Sequence, residues 1–316
     1  MADYIAFDTS NYTTSVAVLK AGKLYSERRL LQVEKGERGL RQSDAVFLHT
    51  KALHEITEIV MKQCGGADIS AIGYSNRPRN VDGSYMPCFL VGENAAKTLA
   101  SVLGVPAYAF SHQEGHIRAG VYSCGAPKAF NNEFLFFHVS GGTTELLRVT
   151  PTGVGYAAEI VAETGDISVG QLVDRTGVLL GMGFPAGGEL EEAAKKFDGK
   201  PNDNLRIKPV FRDGTLNLSG FENKVKTAIE KGVSKDEIAF AALHFSADAL
   251  IAATEYAKEK YGDLPVLFAG GVMRNEYIRS RLEADKAFFA SIEFSSDNAA
   301  GTVLLTRDRH LNGDKL

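Results

Sequence analysis

Short apolar runs alternate along the chain with longer segments of helical hydrophobic spacing. Residues 4–31 and 134–158 each predict two strands joined by a turn rich in serine, threonine or glycine, then a third strand. Helices and single short strands follow each group, which predicts mixed α/β sheets. The predicted helices cover about 44–63, 94–103, 170–180, 189–197, 220–231, 235–261 and 275–285, and the intervening strands about 71–74, 106–110 and 266–268.

The two strand groups also resemble each other in their turns. Ser10 and Thr13 take the same relative places in the first group as Ser140 and Thr143 in the second. Two unrelated hairpins with similar turn chemistry are the alternative. A duplication predicts two similar α/β halves whose polar turns hold phosphate from both sides. We expect domains at 1–128, completed by 299–316, and at 129–298, with the break in a Gly/Pro/Asn-containing stretch.

Composition indicates a soluble protein of enzyme size. The chain has 316 residues, 44% hydrophobic and 23% charged, with a formal net charge of −4. Hence no overall basic field draws it to nucleic acid or to an anionic membrane. Its three cysteines form neither a disulfide framework nor a CxxC site, which favours a reducing compartment. Asp8 interrupts the first apolar run at once, so this run predicts a strand, not a signal peptide. Without an apolar stretch of spanning length, we expect a cytoplasmic protein and no membrane association.

A pair of histidines is the first candidate site. With Ser111 as N-cap, His112 and His116 project from one helix face, one turn apart, and can share one metal ion. Asp297, in a Ser-Asp-Asn segment, would complete a set of two histidines and one carboxylate. The alternatives are surface histidines and a capping aspartate. HExxH is absent, and Glu114 is poorly placed as the base of a zinc protease.

The segment after the strand at 134 is a candidate phosphate loop. Paired glycines let a backbone approach phosphate closely, and hydroxyl groups beside them donate hydrogen bonds. A Gly-Gly hairpin turn is the alternative. The residues concerned are Val139, Ser140, Gly141, Gly142 and Thr143.

Two further glycine-containing loops could contact a ligand. Gly271 and Asn275 follow a short strand and open a helix, where α/β sheets place ligands and anions, unless this is a plain strand-to-helix turn. Asp174 precedes the loop containing Gly187 and Gly188, and its carboxylate could accept a hydrogen bond from a ribose or substrate hydroxyl. The alternative is a minor surface ion pair with Arg175.

Taken in order, these motifs resemble the family that makes N(6)-threonylcarbamoyladenosine in tRNA, formerly called the glycoprotease family. The similarity is carried by HQEGH, VSGGTT, VDRTGVLLGMGFPAGG, LSG, AGGVMRN and SDN. It implies the actin/sugar-kinase/chaperone-ATPase fold, with two ribonuclease-H-like domains around a central nucleotide cleft.

The resemblance also implies roles for individual residues. His112, His116 and Asp297 would bind one divalent metal, iron or zinc. The phosphate loop, with Asp174, Gly187 and Asn275, would contact an adenine nucleotide or acyl-adenylate. Threonylcarbamoyl-adenylate would be the donor and the adenine amine of tRNA the acceptor. The metal would polarise the transferring carbonyl. Given the net charge, basic partner subunits would help to hold the RNA.

Some family features are missing. The first turn, Asp8 to Thr14, lacks the family's Asp-Glu pair, which leaves Asp8 as a weak candidate for the catalytic proton acceptor. The family's Gly-Pro-Gly loop is replaced by Arg77-Pro78-Arg79-Asn80, and the usual lysine after Ser-Gly-Leu is absent from residues 219–222. A diverged paralogue fits this pattern. The alternatives are a non-catalytic nucleotide-binding regulator of a paralogous partner, and a kinase or carbamoyltransferase acting on a small molecule.

Overall fold

The computed structural model describes residues 2–10, 12–32, 40–283, 286–296 and 298–313. The strands of this part of the chain are β1 (Asp3–Ser10), β2 (Thr13–Lys20), β3 (Lys23–Leu30), β4 (Ile69–Arg77), β5 (Ala107–Ser111), β6 (Phe134–Val139), β7 (Thr144–Pro151), β8 (Tyr156–Thr164), β9 (Val210–Arg212), β10 (Thr215–Asn217), β11 (Val266–Ala269) and β12 (Ala287–Phe289). The α-helices are α1 (Gln42–Gln63), α2 (Phe89–Leu103), α3 (His112–Ser123), α4 (Val169–Leu179), α5 (Gly187–Ala194), α6 (Ser219–Glu230), α7 (Lys235–Tyr261), α8 (Glu276–Leu282) and α9 (Ala300–Asn312). Short 3₁₀ helices cover Pro127–Phe130, Gly271–Arg274 and Ile292–Phe294.

The chain forms two compact units. The first comprises Met1–Pro127, Pro151–Ala157 and Ser296–Leu316, and the second Lys128–Thr150 and Ala158–Ser295. In the described residues of the first unit, five strands form one sheet in the order β3-β2-β1-β4-β5. The first three strands are antiparallel neighbours, whereas β4 and β5 run parallel to β1.

Alternating side chains of β1 and β2 pack on both faces of this sheet. Ile5 and Phe7 belong to a core cluster with residues of α1 and α2, whereas Tyr4 and Ala6 pack with α9. Because helices cover both faces, β1 is buried along its whole length. This burial explains why the first strand reads as an almost continuous apolar run.

The second unit repeats the same arrangement with additions. Its sheet, counted over the described residues, has the order β12-β11-β6-β7-β8-β10-β9. The core β8-β7-β6-β11-β12 matches β3-β2-β1-β4-β5 position for position, with β6 and β7 antiparallel and β11 parallel to both β6 and β12. The predicted duplication of an α/β half is therefore confirmed at the level of strand order.

Helix α7 is the core helix of the second unit. Over the described residues it alone meets the length and mean hydropathy of a membrane-spanning helix, although polar residues such as His244 and Asp248 interrupt its apolar sequence. Most of its apolar side chains are buried in the unit, and Leu243 and Leu250 are fully buried. Helix packing accounts for its composition.

Most predicted elements are present, with shifted ends. Helix α7 has the predicted limits, whereas α2 begins at Phe89, five residues before the predicted start, and α8 ends at Leu282, before the predicted residue 285. The sequence did not predict β9, β10 and β12, which have three residues each. Such short strands form because neighbouring strands supply hydrogen-bond partners. Three residues are too few to show an alternation of apolar and polar positions, so the sequence does not predict them.

Candidate metal centre and phosphate loop

Helix α3 places the two histidines as the sequence predicted. Ser111 caps it in a capping box: its hydroxyl accepts the N–H of Glu114, whose carboxylate accepts the N–H of Ser111. Glu114 is thus used in the cap. The Nε2 atoms of His112 and His116 lie 2.9 Å apart. Two nitrogens bound at about 2.0–2.1 Å to one tetrahedral zinc ion lie about 3.3 Å apart, so a shared cation would need a movement of only a few tenths of an ångström.

A buried carboxylate stands behind His112. Asp8, only 1% exposed, accepts a hydrogen bond from His112 Nδ1 at 2.8 Å. Its oxygens also accept the Ser75 hydroxyl at 2.6 Å and the backbone N–H of Ser10 at 3.0 Å. Burial raises the pKa of Asp8, but the charge that His112 carries when it is protonated, together with these hydrogen bonds, outweighs burial and holds that pKa below its ordinary value. The ionised carboxylate keeps the proton on Nδ1, which directs the Nε2 lone pair of His112 towards His116.

The third predicted ligand, Asp297, lies outside the described residues. Within the described part of the chain, no group of three histidine, cysteine, aspartate or glutamate side chains is placed to hold a metal. Asp8 does not make such a group because it faces the other nitrogen of His112.

Helix α9 crosses α3 at the level of the histidines. A Cβ atom on Gly301 would lie 1.8 Å from the carbonyl oxygen of Gly115, which stands between His112 and His116. A Cβ atom on Gly115 would in turn lie 3.0 Å from the Thr302 hydroxyl. Gly301 is therefore required for this helix packing, whereas a Cβ atom on Gly115 would need only a small shift of the Thr302 side chain. This contact brings the start of α9 against the histidine helix.

The candidate phosphate loop lies in the second unit. The Ser140 hydroxyl accepts backbone N–H groups from Thr143 at 3.1 Å and Gly142 at 3.4 Å. Neighbouring segments press on the loop: a Cβ on Gly170 would lie 2.3 Å from the Ser140 carbonyl oxygen, and one on Gly270 would lie 2.1 Å from that of Val139. Only glycine permits these approaches. Gly141 and Gly142 are instead exposed, and added Cβ atoms would meet nothing within 4 Å in the described structure.

The other candidate residues have structural partners. Asp174 accepts the N–H of Ala186 at 2.8 Å and so closes the glycine-rich loop, whereas Arg175 pairs with Glu222 rather than with Asp174. Asn275 caps α8 by accepting the N–H of Ile278, and Glu191 accepts the next free N–H group, that of Glu276. The expected anion-binding helix start is thus occupied by protein oxygens. Gly187 and Gly188 form the first turn of α5, and Gly271 opens a 3₁₀ helix.

Most of the chain matches the model of one protein family. The model of the family described as tRNA N6-adenosine threonylcarbamoyltransferase (TsaD) matches residues 28–302. The chain belongs to this family. A member from Streptococcus pneumoniae strain Taiwan19F-14 is 32% identical over 314 residues, which cover 93% of this chain and 88% of the relative. A member from Ralstonia pickettii strain 12J is 28% identical over 301 residues, covering 89% and 82%.

Solved structures confirm the fold. Full-length HypF, in a phosphate- and nucleotide-bound form, matches with a TM-score of 0.62 at 13% identity and covers 98% of this chain but 56% of HypF. Component A of the (R)-2-hydroxyglutaryl-CoA dehydratase from Acidaminococcus fermentans matches with a TM-score of 0.53 at 14% identity, covering 97% and 98%. The expected fold of the actin and sugar-kinase type is therefore confirmed.

Several residues of these sites had not been predicted. Ser75 joins the carboxylate behind His112, and Ser168, the N-cap of α4, donates its hydroxyl to the Gly141 carbonyl at 2.9 Å. The Ser-x-x-Gln spacing from Ser168 to Gln171 is a sequence signal for this capping box. Nothing in the spacing around Ser75 indicates its role.

Proposed function

We propose that the chain transfers a threonylcarbamoyl group to the adenine amine of an adenosine in tRNA. The family match along residues 28–302 carries this proposal. In the reaction, the amine nitrogen bonds to the carbamoyl carbonyl carbon of threonylcarbamoyl-adenylate, the bond from that carbon to the phosphate oxygen breaks, AMP leaves, and the amine loses one proton.

The first unit would hold one divalent metal, iron or zinc, through His112, His116 and Asp297. Support comes from the Nε2 separation of 2.9 Å and from the buried carboxylate behind His112. When bound, the metal would supply Lewis-acid polarisation of the transferring carbonyl. The sequence suggested Asp8 as proton acceptor. Since both its oxygens accept hydrogen bonds, we propose instead that Asp8 orients His112.

The second unit would bind the phosphate of an adenine nucleotide or acyl-adenylate at Val139–Thr143, with Asp174 closing the loop of Gly187 and Gly188. Gly271 and Asn275 would also contact this ligand, since they follow β11, the neighbour of β6 in the sheet. Gly141 and Gly142 favour this assignment because added Cβ atoms there would clash with nothing in the described structure, so packing does not explain why both residues are glycine. A phosphate group that approaches the backbone closely would explain it.

Replacing Gly142 by alanine is expected to weaken adenine-nucleotide binding at least about tenfold with little loss of stability. The added methyl group would stand where the ligand approaches but would touch no described residue of the protein. Calorimetric titration with ATP and AMP, beside thermal unfolding, measures both effects. Gly220→Ala, at another exposed glycine with open space around it, is the control. Unchanged nucleotide affinity in Gly142→Ala would contradict the phosphate assignment.

We also propose that the protein works in the cytoplasm with partner proteins that help to hold tRNA, one of them a paralogue. The net charge of −4 supports a need for basic partners. Between α1 and α2 lies a largely apolar groove of about 1220 Å³. Beside it, Phe47 and Val102 are 62% and 78% exposed. Surfaces of this kind are typical of protein interfaces.

Mass spectrometry of nucleosides from tRNA tests the transfer. The purified chain is incubated with unmodified tRNA and enzymatically supplied threonylcarbamoyl-adenylate, first alone and then with the organism's paralogous proteins. We expect N(6)-threonylcarbamoyladenosine, and none after a chelator has removed the metal. Absence of product with the complete partner set contradicts the activity. Tight nucleotide binding without turnover would then favour a non-catalytic regulator of a paralogous partner. The missing Asp-Glu pair supports this alternative.

A further inference from the structure

Strand β4 ends in an irregularity beside the histidine helix. Ser75 pairs with Phe110 of β5 and Arg77 pairs with Ser111, so Asn76 is an extra residue in β4. Such a bulge changes the direction of the side chains that follow it and is common near active sites. Here Ser75, before the bulge, reaches Asp8, and Arg77, after it, lies opposite the N-cap of α3.

Neutral groups hold the guanidinium of Arg77. It donates to Asn76 Oδ1 and to Asn80 Oδ1, both at 2.7 Å. No carboxylate among the described residues pairs with it, in contrast to Arg118 and Arg148, which form ion pairs with Asp308 and Glu133. A guanidinium has five N–H donors. Two side-chain amides thus hold Arg77 in position, but because they are neutral they do not balance its positive charge.

The loop after Arg77 also occupies the amino end of α3. The carbonyl of Pro78 accepts the N–H of Gln113 at 3.0 Å, and the Ser111 hydroxyl accepts that of Glu114. These backbone donors, which could otherwise bind an anion at a helix start, are therefore satisfied within the protein. Arg77, opposite the N-cap Ser111, supplies a positive charge beside this end of the histidine helix.

We propose that Arg77 binds an oxyanion, a phosphoryl or carboxylate group, of the small-molecule substrate that reacts at the histidine pair. This chain would use a guanidinium fixed by Asn76 and Asn80 to select an anionic donor. The identity of that donor rests on the proposed function, whereas the oxyanion contact does not. Planar donors on Arg match the two oxygens of a carboxylate or phosphoryl group.

Calorimetric titration of the full chain with two probes tests this. AMP offers a phosphoryl group without a carboxylate, and N-carbamoyl-L-threonine offers a carboxylate without phosphate. In Arg77→Gln, affinity for at least one probe should fall about 10- to 100-fold, and the probe affected identifies the group. Arg77→Lys should recover part of the loss. Arg29→Gln, which removes an exposed arginine paired with Glu55 in the same unit, should change neither affinity.

Three results would overturn the inference: wild-type affinities in Arg77→Gln, no binding of either probe by the wild-type chain, or a loss confined to tRNA affinity. Circular dichroism of each variant shows that it is folded. Tests of the inference and of the proposed function can fail separately. Probe binding that depends on Arg77 without any modified tRNA contradicts only the transfer activity, whereas active transfer with an unchanged KM in Arg77→Gln contradicts only the inference.

Discussion

Replacing Gly301 by alanine is expected to destabilise the first unit by about 3 kcal/mol or more. The new Cβ would lie 1.8 Å from the carbonyl oxygen of Gly115 and 3.0 Å from the backbone nitrogen of Ala119. Backbone atoms in the middle of a helix cannot turn aside as the end of a flexible side chain can. The helices α3 and α9 would have to separate, and the histidine pair would lose the helix that packs against it.

Differential scanning calorimetry measures the loss, which corresponds to a fall in Tm of about 6–12 °C for a unit of this size. Two milder variants calibrate the result. Gly115→Ala should cost less, because its Cβ would meet the movable Thr302 hydroxyl at 3.0 Å. Gly220→Ala, in the open first turn of α6, should stay within about 1 kcal/mol of the wild type. A Gly301→Ala protein as stable as the wild type would show that the two helices do not make this contact.

Local signals in the sequence predicted much of the fold. Ser111 as N-cap predicted the start of α3, and the helical spacing of apolar residues predicted the limits of α7. Similar turns at Ser10 and Ser140 indicated the duplication. Each turn joins the first two strands of its unit, and these strands take the same places in the two sheets. These features depend on residues a few positions apart, which is the range over which hydrophobic period and capping act.

The sites, in contrast, are built from contacts between residues far apart in the chain, which local sequence patterns do not predict. The carboxylate of Asp8 meets His112 and Ser75 only because β1, β4 and β5 are neighbours in one sheet. Gly115 and Gly301 make contact across most of the chain length. Residue type and spacing therefore indicated which histidines could bind a metal, but they did not indicate which groups orient and support them.

Asn275 has a capping role that its position in the sequence did not reveal. Asn275 follows a strand and a glycine pair, the usual place for a ligand contact, yet its side chain caps α8 while Glu191 fills the next position. Sequence cannot distinguish a capping Asn from a ligand-binding Asn, since both stand before a helix and use the same oxygen. The ligand role of Asn275 remains a prediction.

Asp8→Asn is expected to lower the affinity for zinc or ferrous iron about 10- to 100-fold. The carboxylate accepts hydrogen bonds from His112, Ser75 and the backbone of Ser10. An asparagine must turn its NH₂ group towards one side of this set. Turned towards His112, it donates to Nδ1, so the ring proton moves to Nε2 and removes the lone pair that would bind the metal. Turned towards Ser10, the NH₂ group would face the backbone N–H of Ser10, which is also a donor, so a buried hydrogen bond would be lost.

Metal competition with a chromophoric chelator measures the affinity, and thermal unfolding without metal shows how far the fold has changed. Asp166→Asn is the matched control: Asp166 also accepts backbone N–H groups, from Leu218 at 2.9 Å and Ser219 at 2.8 Å, but lies in the second unit. It should lose stability and keep the metal affinity of the wild type. Asp8→Glu should restore metal binding in part, because it keeps the charge that fixes the proton on Nδ1. If Asp8→Asn binds metal as tightly as the wild type, the carboxylate serves only the packing of β1, and the orienting role assigned to it is wrong.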